Sequence, residues 1–258
     1  MATVLKLGGE LLEDAAALQA ASVAIVRLAS RGPLTVVHGG GRAIDADLRA
    51  RGLTPRFADG LRVTDRETLD SVVAVLAGRT NTMLVAAIGA AGGGAVGLTG
   101  ADAQIGLSTV AAPLEVVSGE RIDLGFVGEP TTSDVTLVRD LLALGYVPVI
   151  ASIGVTADGT LLNVNADTFA AHLAAALRAE RLIVAGTTPG VLDGSGVTIP
   201  EITASDIARL TASGTAHSGM VAKLMACRRA RAGGVGEVSI VGGRGVEDFA
   251  AAAGTRVS

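Results

Sequence analysis

The sequence predicts an α/β protein, a three-layer αβα sandwich in which an open, mostly parallel sheet lies between two layers of helices. Apolar runs of strand length alternate along the chain with longer, alanine-rich segments of helical spacing. Glycine turns follow most of the strand-like runs, and this repeated order is typical of a doubly wound sheet. Hydrophobic residues make up 49% of the chain but aromatic residues only 2%. The core is therefore aliphatic, which suits parallel strands buried on both faces.

The first half of the chain repeats the order of strand, glycine turn and helix. "TVLKLGG" (3–9) and "LTVVHGGG" (34–41) are apolar runs that end in glycine, so both are predicted to be buried strands. Helical spacing of apolar residues follows the two runs and predicts helices. These helices are expected over 14–31 and 42–52. The segment 65–91 predicts one long helix or two, and 94–100 a third strand.

The second half begins with a different pattern. Residues 113–128 alternate around a Ser-Gly-Glu turn, which predicts a β-hairpin. Afterwards the alternation of buried strands and helices resumes. The remaining expected elements are a helix over 133–145, a strand over 146–154, a turn at 157–160, a segment 161–167, a helix ending near 178, strands over 181–186 and 237–243, and a helix over 217–234.

One domain is expected over residues 1–258. A soft boundary falls near 178–181, where a second set of strands and helices begins. We therefore expect two lobes, about 1–178 and 179–258, that share one continuous sheet. Ligands of such sheets lie beyond the carboxyl ends of the strands, next to the N-termini of helices.

Composition excludes several classes of function. A net charge of −4 argues against nucleic acid as the main partner, and the few aromatic residues provide no stacking surface for single strands. Cys227 is the single cysteine, so an intrachain disulfide and a zinc cluster of cysteines are excluded. Neither a signal peptide nor a membrane span is expected, because the first strand begins at once and the long apolar runs are interrupted by glycine. A soluble, cytoplasmic protein is expected.

Two glycine turns are candidates for anion binding. "KLGG" (6–9) and "HGGG" (38–41) each follow a predicted buried strand and precede a helix. Backbone N–H groups and the helix dipole at such turns attract phosphate or carboxylate. A tight strand-to-helix turn without a ligand is the alternative, although three consecutive glycines favour binding. A Walker A loop is excluded because Gly-Lys-Ser and Gly-Lys-Thr do not occur, and the glycine spacing is poor for a dinucleotide fingerprint.

Polar residues at predicted loop ends are candidates for holding an acidic ligand. Arg62, just before a helix, offers a planar fork that matches a carboxylate, although a surface arginine is the alternative. Asn163, Asn165 and Asp167 stand at a helix entrance with a spacing of two, which places them on one side. Helix capping would explain one of these three residues but not all.

The two lysines differ from the other basic residues. Of 21 basic residues only Lys6 and Lys223 are lysine, so arginine occupies nearly every other cationic position. Lysine is a compact charge on a flexible stem, whereas the guanidinium of arginine directs its donors in fixed directions. A chemical requirement for lysine is therefore one interpretation, and two chance surface lysines are the other. The three histidines, His38, His172 and His217, show no metal-ligand spacing, so no protein metal site is expected.

An ordered set of motifs resembles the amino acid kinase family, and within it the members that phosphorylate N-acetyl-L-glutamate. The resemblance runs from the first strand to the last helix. The motifs are "KLGG" (6–9), "HGGG" (38–41), "DGLRVTD" (59–65), "AGRTN" (77–81), "GLTGADA" (97–103), "IGVTADGTLLNVNAD" (153–167), "PGVLDG" (189–194) and "GMVAKL" (219–224). This resemblance implies transfer of phosphate from ATP to a side-chain carboxylate. Mg²⁺ would be held mainly by the phosphates of the nucleotide.

The resemblance also implies a role for each matching residue. Lys6 and Lys223 would stabilise the charge of the phosphoryl group, and Asp167 would fix their ammonium groups. The acyl amino acid would be held in the N-terminal lobe and the nucleotide in the C-terminal lobe. The residues implied for substrate are Gly9, Gly40, Gly41, Arg62, Asn163 and Asn165. Those implied for the nucleotide are Gly8, Gly186, Thr187, Thr188, Gly190, His217 and Gly219.

Two stretches on the nucleotide side differ from the family pattern. Thr187, in "VAGTTPG" (184–190), occupies the position of an aspartate, and "HSGM" (217–220) replaces an acidic Thr-Asp-Gly-Met. Both differences concern how ATP is held and leave the chemistry at the phosphoryl group unchanged.

Other functions remain open at this point. A sister kinase would act on carrier-bound aminoadipate or glutamate, and a basic surface around the substrate mouth would favour it. A non-catalytic module that senses an amino acid would keep the fold but lose a lysine or Asp167. A dinucleotide-dependent oxidoreductase is disfavoured by the poor fingerprint. We also expect a homodimer that arginine does not inhibit, because the first strand begins about three residues from Met1, whereas arginine-inhibited relatives carry an extra N-terminal helix.

Overall fold

A central sheet organises the protein. The computed structural model describes residues 2–115, 119–212 and 218–258, and in these residues eight strands pair in the order β14-β16-β15-β13-β1-β2-β10-β5. The six strands from β15 to β5 are parallel, whereas β16 and β14 run in the opposite direction. The strands of this sheet are β1 Thr3–Leu7, β2 Leu34–His38, β5 Ala95–Thr99, β10 Val147–Ala151, β13 Arg181–Gly186, β14 Glu201–Ile202, β15 Glu237–Gly242 and β16 Gly254–Val257.

Helices cover both faces of the sheet, so the predicted αβα sandwich is confirmed. Successive residues of β1 point to opposite faces, because side chains alternate along a strand. Val4 packs into a core shared with α5, α6 and α8, whereas Leu5 and Leu7 pack into a core shared with α1 and α4. The described helices are α1 Ala15–Ala29, α2 Gly41–Ala50, α3 Arg66–Val73, α4 Asn81–Ala90, α5 Thr136–Ala143, α6 Ala166–Leu177, α7 Ala204–Ala212 and α8 Ser218–Ala232.

The segment expected as one or two helices forms a single helical run. Between α3 and α4 the helix continues through a π-helical stretch, Ala74–Thr80, so that it extends over Arg66–Ala90. By length and composition alone this run could cross a membrane. Its side chains nevertheless include Val72, Val75 and Ile88, which are fully buried in the cores of the protein. We therefore assign it as a core helix of the sandwich.

A small barrel beside the sheet is the largest departure from expectation. In the described part of the chain, β11, β12, β9 and β6 close on one another. The run predicted as one strand over 146–154 breaks at Ser152, because β10 pairs within the sheet while β11 turns into the barrel. The barrel strands are β6 Leu107–Val110, β9 Val127–Thr132, β11 Ile153–Val155 and β12 Leu161–Val164.

Two short hairpins complete the fold. The predicted hairpin over 113–128 is present as β7 Leu114–Glu115 and β8 Arg121–Ile122, although its last residues already belong to the barrel strand β9. A hairpin that the sequence analysis did not anticipate pairs β3 Phe57–Ala58 with β4 Leu61–Arg62. The strands β6, β14 and β16 were missed as well, and β16 extends the sheet beyond the predicted strand over 237–243.

Candidate active site

Two cavities open beyond the carboxyl ends of the central strands. The first, which we call the barrel-side cavity, has a volume of about 410 Å³ and lies between the glycine turn after β2, the hairpin β3–β4 and the barrel. The second, the β13-side cavity, has a volume of about 480 Å³ and lies between the turn after β13 and helix α8. Ligand sites of open α/β sheets lie in this position.

Three charged side chains lie at the boundary between the cavities. Lys6 extends from β1, Asp167 from the first turn of α6 and Lys223 from α8. The carboxylate oxygen Oδ1 of Asp167 is 2.9 Å from the Nζ of Lys6 and 3.8 Å from the Nζ of Lys223. All three side chains are almost completely buried. The two lysines and the aspartate singled out from the sequence therefore converge on one point.

Burial and mutual charge set the ionisation of this cluster. Burial alone would raise the pKa of Asp167, but the charges of Lys6 and Lys223 outweigh it and hold that pKa below its usual value. Burial, together with the charge of Lys6, lowers the pKa of Lys223, while Asp167 and Glu10 counteract the shift. Asp167 is therefore ionised at neutral pH and anchors both ammonium groups.

The two glycine turns touch each other. A Cβ atom on Gly9 would lie 2.5 Å from the Cα of Gly40, and one on Gly40 would lie 2.8 Å from Leu76. Gly41 is the first residue of α2, so N–H groups at this N-terminus point out of the helix. Gly9, Gly40 and Gly41 all line the barrel-side cavity. This arrangement can bind an anion through backbone N–H groups and the helix dipole.

Arg62 is not a surface arginine. It lies on β4 rather than in a loop, and its side chain is buried. The Nη1 atom is 2.6 Å from a carboxylate oxygen of Asp45, and Nη2 donates a hydrogen bond of 3.0 Å to the carbonyl oxygen of Gly41. The guanidinium also lies over the ring of Phe57, 4.7 Å from its centre. Arg62 is thus fixed in the wall of the barrel-side cavity.

The two asparagines of "NVNAD" have different structural roles. Asn163, on β12, donates a hydrogen bond of 3.0 Å to the hydroxyl of Thr64. Asn165 is the N-cap of α6, since its side-chain oxygen accepts from the N–H groups of Asp167 and Thr168. Capping therefore does explain Asn165, and the cap orients the turn that carries Asp167. Both asparagines line the barrel-side cavity.

Most residues predicted for the nucleotide lie around the β13-side cavity. Its lining includes Lys223 and, from the predicted set, Gly186, Thr187, Thr188, Gly190 and Gly219. Gly8 does not line it, because its N–H donates to the carbonyl oxygen of Ala185 and extends the pairing of β1 with β13. His217 lies outside the described residues.

Glu10 is a site residue that the sequence analysis missed. Lys6, Glu10 and Asp167 are the described residues that line both cavities. Glu10 belongs to a short helical turn, Gly9–Leu11, directly after β1. Its position in the sequence could have indicated a site residue, because Glu10 is the first charged side chain beyond the carboxyl end of a central strand.

A buried His–Asn pair supports the glycine turn from below. The Nδ1 of His38 is 3.1 Å from the carbonyl oxygen of Gly39, and the amide of Asn81 lies 3.1 Å from Nε2 and also donates to Val149. Burial lowers the pKa of His38 from 6.5 to about 4, although the backbone contact opposes the shift. The imidazole is therefore neutral, with Nδ1–H donating to Gly39 and Nε2 accepting from Asn81.

Comparison with known proteins identifies the family to which the chain belongs. The model of the amino acid kinase family matches residues 1–242. The chain therefore belongs to the amino acid kinase family. Among curated relatives, acetylglutamate kinase of Rhodopseudomonas palustris (strain BisB18) is 42% identical over 247 residues, which cover 93% of this chain and 83% of the relative. Acetylglutamate kinase of Bradyrhizobium sp. (strain ORS 278) is 41% identical over 248 residues, with the same coverage.

Solved structures share the whole fold. The crystal structure of smu.665 from Streptococcus mutans UA159 superposes with a TM-score of 0.85 at 25% identity, covering 100% of this chain and 98% of that one. N-acetylglutamate synthase from Neisseria gonorrhoeae, complexed with coenzyme A and N-acetyl-glutamate, gives a TM-score of 0.83 at 24% identity. That comparison covers 100% of this chain and 59% of the synthase, and it shows the fold alone.

Proposed function

We propose that this protein is a kinase that uses ATP to phosphorylate the side-chain carboxylate of N-acetyl-L-glutamate, in arginine biosynthesis. The observation that carries the proposal is the buried cluster of Lys6, Asp167 and Lys223 at the boundary between two cavities. Membership of the family implies ATP as the phosphoryl donor. The 40–42% identity to acetylglutamate kinases supports the choice of acceptor.

The acceptor and the nucleotide occupy different cavities in this proposal. The barrel-side cavity takes the acyl amino acid, where Arg62 and Asn163 contact it and Asn165 keeps the wall in place. Gly9, Gly40 and Gly41 direct N–H groups to its anionic end. The β13-side cavity takes the nucleotide along Gly186, Thr187, Thr188, Gly190 and Gly219. The two lobes, about 1–178 and 179–258, thereby divide the binding between them.

The reaction needs charge neutralisation more than proton transfer. A carboxylate oxygen of the acceptor forms a bond to the γ-phosphorus while the bond from that phosphorus to the β-phosphate bridging oxygen breaks, giving the acyl phosphate and ADP. The acceptor is already ionised near pH 7, so a general base is unnecessary. Lys6 and Lys223 neutralise charge on the transferred group, and Asp167 holds both lysines before the reaction begins.

A divalent cation fits this site as part of the nucleotide. Among the described residues there is no group of three or more metal-ligating side chains that could hold a metal ion. Mg²⁺ is commonly bound by substrate phosphates and one or two carboxylates rather than by a protein cage. We propose that the cation enters with ATP, held mainly by the phosphates, where it neutralises their charge.

We further propose that the protein is a soluble, cytoplasmic homodimer. The support is the overall resemblance to the family. Size-exclusion chromatography with light scattering would measure the mass in solution, and a stable monomer would contradict the proposed assembly.

A coupled assay of ADP release tests the activity. The purified protein is supplied with MgATP and with acetylglutamate, glutamate or aminoadipate in separate reactions. We expect turnover with acetylglutamate and little with the other two, because the free amino group leaves the acyl contacts unmade. Equal or better turnover of aminoadipate would point to the sister kinase. No turnover with any acceptor, together with binding of acetylglutamate, would point to a sensing module.

A further inference from the structure

Glu10 is the charged residue at the boundary of the cavities that the reaction above does not use. Like Lys6 and Asp167, it lines both cavities. Its carboxylate folds back over Gly8, since a Cβ atom there would lie 2.6 Å from Oε1. The same oxygen is 3.5 Å from the position of a Cβ on Gly186, and so is the Nζ of Lys223. The Glu10 carboxylate and the Lys223 ammonium group therefore both lie beside Gly186.

The two carboxylates of this boundary differ in their partners. Asp167 is enclosed by both lysines, which neutralise it. In the described part of the chain no ion pair engages Glu10, and its charge acts on Lys223, where it opposes the lowering of that lysine's pKa by burial. The Glu10 carboxylate is also partly exposed and therefore accessible to a ligand. It is thus a ligating group that remains free at the place where phosphates would lie.

A carboxylate in this position conflicts with an anionic nucleotide unless a cation separates the two. Like charges a few ångströms apart near a protein surface repel each other strongly, and partial burial increases the effect. A hard divalent cation removes the conflict because it prefers carboxylate and phosphate oxygens as ligands. The donor set therefore fits a cation that arrives with the nucleotide and accepts one oxygen from the protein.

We propose that Glu10 is the carboxylate contact of this protein for the divalent cation of the bound nucleotide, and that it makes nucleotide binding depend on that cation. The inference rests on the function proposed above, because it requires a nucleotide in the β13-side cavity. A simpler role would be to balance the charge of Lys223 without any contact to metal. The two roles differ in whether Glu10 distinguishes metal-free from metal-loaded nucleotide.

Isothermal titration calorimetry of ADP, with Mg²⁺ and with EDTA, separates these roles. For the unaltered protein we expect Mg²⁺ to tighten ADP binding. In Glu10→Gln the ratio of the two Kd values should shrink by about tenfold, within the usual range of coupling between ligands. Most of that change should come from tighter binding of metal-free ADP. A smaller Mn²⁺ affinity of the ADP complex, measured by electron paramagnetic resonance, should accompany it.

Glu13→Gln is the matched control. It removes the same charge three residues away, but Glu13 pairs with Arg42 and lines neither cavity. The ratio of Kd values should stay unchanged in this variant. Circular dichroism verifies folding, and Glu10→Ala provides the same measurement if the glutamine variant does not fold.

The outcomes are distinct. If Glu10→Gln changes both Kd values by the same factor, or neither, the contact to the cation is refuted while nucleotide binding stands. If the unaltered protein binds no ADP with or without Mg²⁺, the proposed function fails and this inference fails with it. A selective loss of the Mg²⁺ effect in the Glu10 variant, absent from the Glu13 variant, supports the contact.

Discussion

The barrel-side and β13-side cavities are similar in volume but differ in how their walls are held. In the barrel-side cavity the polar side chains already have partners, as Arg62 has Asp45 and Asn163 has Thr64. An ion pair of 2.7 Å between Glu129 and Arg229 also joins the barrel to α8 beside this cavity. The turn along the β13-side cavity presents two exposed threonines, Thr187 and Thr188. One cavity is fixed before a ligand arrives, and the other offers groups that a ligand must engage.

This difference bears on where specificity arises. A wall whose polar groups are held by protein partners presents them in fixed directions, so it favours a ligand whose own polar groups match those directions. Exposed hydroxyls remain hydrated when a ligand contact is lost, so they discriminate less. We therefore expect substitutions at the barrel-side wall to alter acceptor use strongly, and those at the β13-side turn to alter ATP use weakly. The lysines between the cavities should affect the reaction itself.

The largest effect should come from exchanging a lysine at the boundary. Lys6→Arg and Lys223→Arg should each lower kcat by roughly two to three orders of magnitude, about 3–4 kcal/mol, with little change in KM. The broader guanidinium cannot follow the phosphoryl group from one cavity to the other.

Steady-state kinetics would measure this effect, with circular dichroism to verify folding. Arg228→Lys, at an exposed position of α8, is the control and should leave kcat unchanged. A near-normal kcat in either lysine variant would refute the role of that lysine.

The stability that the buried His38 side chain gives to the barrel-side glycine turn should be lost in acid. Burial lowers the pKa of folded His38 to about 4, whereas the unfolded chain takes up the proton near 6.5. The unfolded state therefore binds more protons between these values, and the free energy of unfolding should fall as the pH drops from 6.5 towards 4. The loss from this residue should approach roughly 3 kcal/mol.

Urea unfolding at several pH values would test this prediction against a His38→Asn variant. The variant should be less stable at pH 7 but should lose less stability between pH 6.5 and 4. Identical slopes in the two proteins would show that His38 does not carry the effect.

Removal of the barrel-side arginine should alter acceptor use. Arg62→Ala should raise the KM for acetylglutamate by a factor that corresponds to about 1.5–3 kcal/mol, with little change in the KM for ATP. Arg42→Ala is the matched control, because Arg42 is exposed and pairs with Glu13. Unchanged KM for acetylglutamate alongside impaired ATP use would contradict the assignment of the two cavities.

The smallest effect should come from the β13-side turn. Thr187→Ala should raise the KM for ATP by less than about fivefold, since an exposed hydroxyl contributes about 0.5–1 kcal/mol. The KM for acetylglutamate should not change. A larger effect on ATP than Arg62→Ala has on the acceptor would overturn the contrast between the two cavities.

The fold was predictable where local pattern determines structure. β1 and β2 are apolar runs with glycine at their ends, and both lie in the centre of the sheet. The barrel was not predictable, because β6 pairs with strands distant in sequence and the break at Ser152 depends on those partners. The antiparallel strand β16 was missed although it pairs with β15, the strand that precedes it in the chain.

The candidate site was likewise predictable from the sequence only in part. Lys6, Asp167 and Lys223 were singled out from the sequence and its resemblance, and they meet at one point. Glu10 and Asn81 were not, since the importance of Glu10 follows from the boundary of two cavities and that of Asn81 from a contact with His38. Cavities and non-local contacts leave no periodic signal in a sequence.

The contact between Gly9 and Gly40 has a consequence for the mutational history of this protein. A side chain on Gly9 would meet backbone atoms of the neighbouring turn, which cannot rotate away as a flexible side chain can. A second substitution elsewhere therefore cannot easily restore the lost space, and compensatory pairs at this point should be rare. In a saturation library Gly9 should therefore tolerate substitution less well than Gly40, where an added Cβ would meet the end of the flexible Leu76 side chain. Substitutions that the active site tolerates should therefore occur mainly in the walls of the two cavities rather than at this contact between glycine turns.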